Sequence, residues 1–121
     1  NGSHPKISSL ELLPSQNELL SSCFDGTVRI FNCDTHSLSR VFRGHSGRVW
    51  NSIPLSDDIF ASGADDKTIK LWDSRLEKPC IWTSSKHNGR VSCLMESKNT
   101  LLCATCHETP QESEDKCCFV W

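Results

Sequence analysis

The stretch Phe60-Ala61-Ser62-Gly63-Ala64-Asp65-Asp66-Lys67-Thr68-Ile69-Lys70-Leu71-Trp72-Asp73 decides the fold. A run of small and apolar residues meets a polar turn, Asp65-Asp66-Lys67-Thr68. Thr68-Ile69-Lys70-Leu71-Trp72 then alternates with period two, so two strands joined by a tight turn are expected. The same sentence is written earlier as Leu19-Leu20-Ser21-Ser22-Cys23-Phe24-Asp25-Gly26-Thr27-Val28-Arg29-Ile30-Phe31. Ser21, Ser62 and Cys103 lie 41 residues apart, as do Phe31 and Trp72, and Ile7, Val49 and Val91 lie 42 apart. A third copy begins at Leu101-Leu102-Cys103-Ala104-Thr105, departs, and returns at Cys117-Cys118-Phe119-Val120-Trp121. Each unit holds about four short strands and no helical periodicity. A period near 40 with four strands is the signature of propeller blades.

The composition agrees with a small folded chain. It has 121 residues, of which 28 are Ile, Leu, Val or Phe, enough to avoid disorder. The net charge of −2 carries no basic excess, so no nucleic acid is expected. No apolar run approaches a membrane span, and the start shows no signal-peptide core. Eight cysteines would suggest disulfides in a secreted chain. Five of them, Cys23, Cys93, Cys103, Cys117 and Cys118, fall in strand-like runs where free cysteine acts as a small hydrophobe. Free thiols in an intracellular compartment, cytoplasm or nucleus, are expected.

Arg43-Gly44-His45 followed by Ser62 to Asp73 resembles the WD40 repeat almost letter for letter. The first repeat has Phe31-Asn32 where the family has Trp-Asp. The third keeps His87-Asn88-Gly89 and Trp121 but loses the turn. The resemblance implies an all-β WD40 propeller fragment of about three four-stranded blades, the last incomplete, with repeats near 4–44, 45–86 and 87–121. Such an array is expected to be a piece of a longer propeller, or to close by association of copies. Open blade edges at its ends would drive that self-association.

His45, Ser62 and Asp66 are the parts of a hydrolase triad. No exposed elbow or oxyanion hole accompanies them. The resemblance assigns His45, Ser62, Asp66 and Trp72 to a buried hydrogen-bonded tetrad instead, with no catalytic residue. The first repeat keeps His4, Ser21 and Asp25, but Phe31 supplies no indole donor.

Cys103-Ala104-Thr105-Cys106-His107 matches a haem-attachment pattern and offers zinc ligands, with Cys117 and Cys118 beyond. Residues three apart on a strand face opposite ways, so these thiols converge only if the strand ends between them. Two unlinked cysteines and no cofactor or metal are expected. Trp72 to Trp121 spans 49 residues, eight more than Phe31 to Trp72. An acidic insertion with Glu108, Glu112, Glu114 and Asp115 accounts for the excess. It is expected to be a solvated loop, or one that binds a partner or masks a binding face.

Trp72-Asp73-Ser74-Arg75 resembles the motif by which WD40 substrate receptors of cullin–RING ubiquitin ligases dock their adaptor, with Asp73 and Arg75 as the docking pair. An ordinary exposed arginine is the plainer alternative. The resemblance also places partner contacts on one rim: Lys6, Ser8 and Phe24 in the first repeat, Ser46, Arg48, Trp50 and Asp65 in the second, Asn88, Arg90 and Ser92 in the third. Of these, Lys6, Phe24, Arg48, Trp50, Asp65 and Arg90 are the partner-binding candidates. Aromatic residues and arginine are enriched in binding hot spots. Arg48 and Arg90, with Lys6, favour an acidic or phosphorylated peptide. Trp50 either stands in solvent or folds back onto its neighbouring blade. The expected function is a non-catalytic scaffold for proteins or peptides.

Overall fold

The computed structural model describes residues 6–13, 17–84, 89–97, 100–106 and 117–120, with backbone alone for 97, 100–106 and 117–120. Eleven strands follow in chain order: β1 (Ile7–Leu13), β2 (Glu18–Cys23), β3 (Thr27–Asn32), β4 (Ser37–Arg43), β5 (Val49–Pro54), β6 (Ile59–Ala64), β7 (Ile69–Asp73), β8 (Cys80–Ser84), β9 (Arg90–Ser97), β10 (Thr100–Cys106) and β11 (Cys117–Val120). No helix occurs among the described residues. The strands form three antiparallel meanders, β1-β2-β3-β4, β5-β6-β7-β8 and β9-β10-β11.

The two tight turns fall where the polar runs interrupt the alternation. Gly26 takes φ 88° and Lys67 φ 66°, the left-handed conformations that such hairpins need. In the first turn Asp25 accepts from the Thr27 backbone and hydroxyl at 3.1 and 2.6 Å. In the second, Asp66 does the same for Thr68 at 3.1 and 2.6 Å. One carboxylate thus closes each hairpin by bonding the backbone two residues on.

The sheets stack face to face. Leu13, Leu20, Val28, Ile30, Phe42, Val49, Phe60 and Trp72 bury between the first and second. Ile53, Ala61, Ile69, Leu71, Val91 and Leu94 bury between the second and third. The second sheet is therefore apolar on both faces, as a blade between blades must be. Phe42 meets Phe60 edge-on at 4.9 Å and Trp72 at 5.8 Å between ring centroids, within the range where aromatic pairs add to area burial. Gly63 lets the third sheet approach, since a Cβ there would lie 2.5 Å from Val91 Cγ1.

Polar links also cross between sheets. Ser9 Oγ donates to Ser22 Oγ at 2.9 Å, and Ser22 Oγ lies 2.6 Å from Ser52 Oγ, a hydroxyl chain between the first two sheets. Arg40 on β4 donates to the carbonyls of Ser74 and Leu76 in the β7–β8 turn, at 2.5 and 2.7 Å.

The stacking changes the reading of the open ends. Edges belong to the first and last strand of every sheet, in the middle of the stack as at its ends. What the ends leave uncovered is sheet faces, because neighbouring sheets meet through packed side chains, a few of which reach backbone groups, and not through a backbone-to-backbone ladder. Leu10 and Leu12 alternate with Leu13 and point away from the second sheet, more than half exposed. Met95 does the same beside buried Leu94. Among the described strands, β11, the counterpart of interior strands β3 and β7, fits the expectation of a central strand at an edge.

Candidate functional site

The three constellations expected from the sequence lie at different places in the stack. The first is buried. His45 enters on the 44–48 linker between β4 and β5. Its Nε2 lies 2.6 Å from Ser62 Oγ on β6 and its Nδ1 lies 2.9 Å from Asp66 Oδ2 in the turn. Trp72 Nε1 donates to the same Ser62 Oγ at 2.8 Å. The Ser46 backbone N–H adds a bond to Asp66 at 3.1 Å. Burial works to raise the Asp66 pKa, but the bonds from His45 and Thr68, together with the His45 charge, pull it well below the ordinary carboxylate range.

Distances alone match a hydrolytic triad. The surroundings do not: Ser62 is fully buried, and its oxygen already faces both the indole and the imidazole. Through these bonds the arrangement ties the linker, two strands and the turn together.

The first repeat builds its turn differently. His4 lies outside the described residues. Ser21 Oγ donates to the Arg29 carbonyl at 3.3 Å, and Asp25 pairs with Arg29 Nη2 at 2.9 Å. Burial opposes it, but the Thr27 bonds and Arg29 hold the Asp25 pKa below its ordinary value.

The second constellation is a ledge along one rim, at the end of the stack marked by the β2–β3 and β6–β7 turns. Arg48 lies over the Phe24 ring, 5.4 Å from its centroid, and Arg90 lies over the Trp50 indole at 5.6 Å. Phe24 meets Trp50 edge-on at 5.0 Å. Trp50 thus leans onto the neighbouring sheet while staying half-buried, as do Phe24 and Asp65. Asp65 Oδ1 accepts the Trp50 indole N–H and stands 3.8 Å from Arg90 Nε. The Asp65 backbone N–H donates to the Arg48 carbonyl at 2.9 Å. Lys6 enters through its carbonyl, which accepts the Phe24 N–H at 2.8 Å, and the residue is exposed. All three sheets therefore contribute to one contiguous surface.

The third lies at the other end of β7. Arg75 Nε and Nη2 hold Asp73 Oδ1 and Oδ2 at 3.0 and 2.7 Å, and Asp58 stands 3.7 Å away. The Arg75 guanidinium bonds bring the Asp73 carboxyl down to about 2. Arg75 itself is well exposed.

The Cys-x-x-Cys-His stretch is partly visible. β10 runs through both Cys103 and Cys106 and does not end between them. The side chains of both, with His107 and the acidic insertion, lie outside the described residues, as do His87, Asn88 and Trp121. Among the described residues no group of three side chains has the makings of a metal site. Cys23, Cys33, Cys80 and Cys93 are unpaired thiols.

With this geometry in view, the family described as WD domain, G-beta repeat matches residues 2–32, 36–73 and 78–121. The chain belongs to the WD40-repeat family. It is 34% identical over 95 residues to the ribosome biogenesis protein WDR12 homolog of Caenorhabditis briggsae, covering 72% of this chain and 21% of that protein. It is 38% identical over 90 residues to apoptotic protease-activating factor 1 of Rattus norvegicus, covering 74% of this chain and 7% of that one. It is also 29% identical to human THO complex subunit 6 over 111 residues, 82% of this chain and 32% of the other. The chain thus spans a third or less of these curated relatives. Among solved structures, the WD40 β-propeller domain of Doa1 superposes with TM-score 0.74 at 22% identity, covering 82% of this chain and 33% of that chain. A chain of the Mitotic Checkpoint Complex superposes with TM-score 0.76 at 20% identity, covering 86% and 32%. These last two establish the shared fold. The three sheets are WD40 blades, and the family's general use is as a non-catalytic interaction scaffold.

Sequence reasoning missed three features of these blades. The serine chain was signalled by the doublets Ser8-Ser9 and Ser21-Ser22. The Arg40 clamp had no signal beyond a lone arginine on an outer strand. That Asp65 joins Trp50 to Arg90 depends on the spacing between sheets.

Proposed function

We propose that this chain is a non-catalytic WD40 scaffold that binds a protein or peptide on the ledge of Phe24, Arg48, Trp50, Asp65 and Arg90, with Lys6 at its margin. The supporting observation is that cations and aromatic rings from three successive blades interlock there into one surface. Arginine stacked on aromatic rings, half-open to solvent, is the composition of a binding hot spot. An intracellular setting goes with the unpaired thiols. The Glu77-Lys78-Pro79 stretch and the acidic insertion resemble WD repeat-containing protein 89. The test is quantitative capture from cell extract by the wild-type chain and by Phe24→Ala with Trp50→Ala, both verified as folded. A partner retained by the wild type and lost by the double variant supports the ledge. Equal retention moves the binding surface elsewhere.

A second reading makes the chain a substrate receptor of a cullin–RING ubiquitin ligase, docking its adaptor through Trp72-Asp73-Ser74-Arg75. Arg75 favours it by its exposure, but its fork already holds Asp73, so an adaptor carboxylate has to compete with an intramolecular pair. Pull-down of purified adaptor by wild type and by Arg75→Ala decides: binding that the substitution removes supports this reading, and absence of binding ends it.

A further inference from the structure

Resting on the reading that the ledge binds a partner, we infer that Asp65 makes it a one-anion site: Asp65 occupies the seat at Arg90, and Arg48 above Phe24 is the cation that receives a single carboxylate side chain of an extended peptide. Arg48 and Arg90 hold equivalent places in successive repeats, 42 residues apart. Each stands against a residue that precedes a turn aspartate on the blade before it. For Arg48 that residue is Phe24, and for Arg90 it is Asp65. The same place in the fold therefore offers an aromatic ring to one arginine and a carboxylate to the other. Arg90 faces an acid within its own chain, whereas no ion pair of Arg48 occurs among the described residues.

A guanidinium lying over a ring keeps its N–H edge directed outward, and that edge matches a carboxylate bidentately. The edge-on pair of Phe24 and Trp50 lies beside it, so an apolar side chain next to the acidic one finds a surface. The partner fitted by this arrangement is a peptide with Glu or Asp adjacent to a large apolar residue. A phosphate, carrying nearly two charges, is repelled by nearby carboxylates about twice as strongly as a carboxylate is. Asp65 is bonded through its backbone to the Arg48 carbonyl, and Asp25 follows Phe24 directly. Asp65 is thus a specificity residue that sets how much negative charge the ledge accepts.

Four pools of eight-residue peptides provide the probe, randomised except for a fixed leucine and one neighbour: glutamate, glutamine, phosphoserine or lysine. The full chain immobilised through a terminal tag should retain the glutamate pool at least five-fold over the glutamine pool, and over the phosphoserine pool. Arg48→Gln should bring the glutamate-to-glutamine ratio to about one, with Arg48→Lys keeping part of it. Asp65→Asn should raise phosphoserine retention several-fold while the glutamate pool changes less. If Arg48→Gln leaves the ratio intact while Trp50→Ala abolishes retention, the ledge binds but the one-anion site is overturned. Phosphoserine retained above glutamate by the wild type also overturns it. Retention of no pool overturns this inference, and the ledge itself falls if the Phe24 and Trp50 changes leave extract capture unaltered as well.

Discussion

Trp72 donates its indole N–H to Ser62 Oγ at 2.8 Å, from a position where both residues are shut off from solvent. The indole body packs against Phe42 and stacks on Phe60, while its one polar atom finds the hydroxyl that also meets His45. Hydrophobic and polar anchoring therefore converge on one side chain.

Trp72→Ala should destabilise the chain by about 3–5 kcal/mol, the usual consequence of truncating a core aromatic. Trp72→Phe, which keeps a ring and removes the donor, should cost about 1 kcal/mol, one ordinary hydrogen bond. Trp50→Ala should lie well below the first figure because Trp50 is half-exposed. Urea midpoints of the three variants check the order, and equal midpoints for Trp72→Ala and Trp50→Ala would refute it.

Acid should act through Asp66 and Asp73. Both carboxyls titrate below their ordinary 3.8 in the folded chain, Asp73 at about 2. A carboxyl lowered on folding contributes stability above its unfolded pKa and loses it as pH falls towards the folded one. The stability gap between wild type and Asp66→Asn should narrow as pH falls below about 4, where the unfolded carboxyl begins to take up protons. Denaturation series at stepped pH would show this, and a gap that widens in acid would contradict it.

Gly63→Ala should be destabilising by about 1–3 kcal/mol, because the new methyl meets Val91 of the next blade. Val91→Ala in the same chain should recover part of the loss. A double-mutant cycle measures the coupling, and additive effects would place the strain elsewhere.

The uncovered end faces should make the chain associate. Leu10, Leu12 and Met95 present apolar surface where a blade would otherwise pack. Sedimentation should show dimers or larger species, and Leu10→Glu with Met95→Glu should shift the population towards monomer. A wild type that stays monomeric over a wide concentration range would count against this.

The fold was legible because two independent periods coincide. Alternation marked the strands, and the spacing of about 41 residues marked the blades. His45, Ser62, Asp66 and Trp72 were readable as a network because each carries a polar group that burial obliges to find a partner. The ledge was readable only as a set of positions. That Asp65 lies between Trp50 and Arg90 follows from how closely two sheets approach, and spacing along one chain carries no such distance. For Arg75 the sequence left two readings, an ordinary exposed arginine or an adaptor contact, and gave no sign that its fork takes the carboxylate two residues before it. The uncovered end faces were not legible for a related reason: local pattern specifies pairing within a sheet, as for β11 at its edge, but not which surface a sheet turns to its neighbour.

The Arg40 clamp has a mechanical meaning. A chain pulled from its ends should shed its sheets strand by strand, since each meander opens like a zipper. β4 is the outer strand of the first blade, and its guanidinium is fastened to two carbonyls of the second. Peeling β4 away therefore drags on the β7–β8 turn before it can proceed. Force is passed sideways from one blade to the next, and the two should yield as one event where separate blades would give two. In an extension trace, Arg40→Ala should split that single step into a pair.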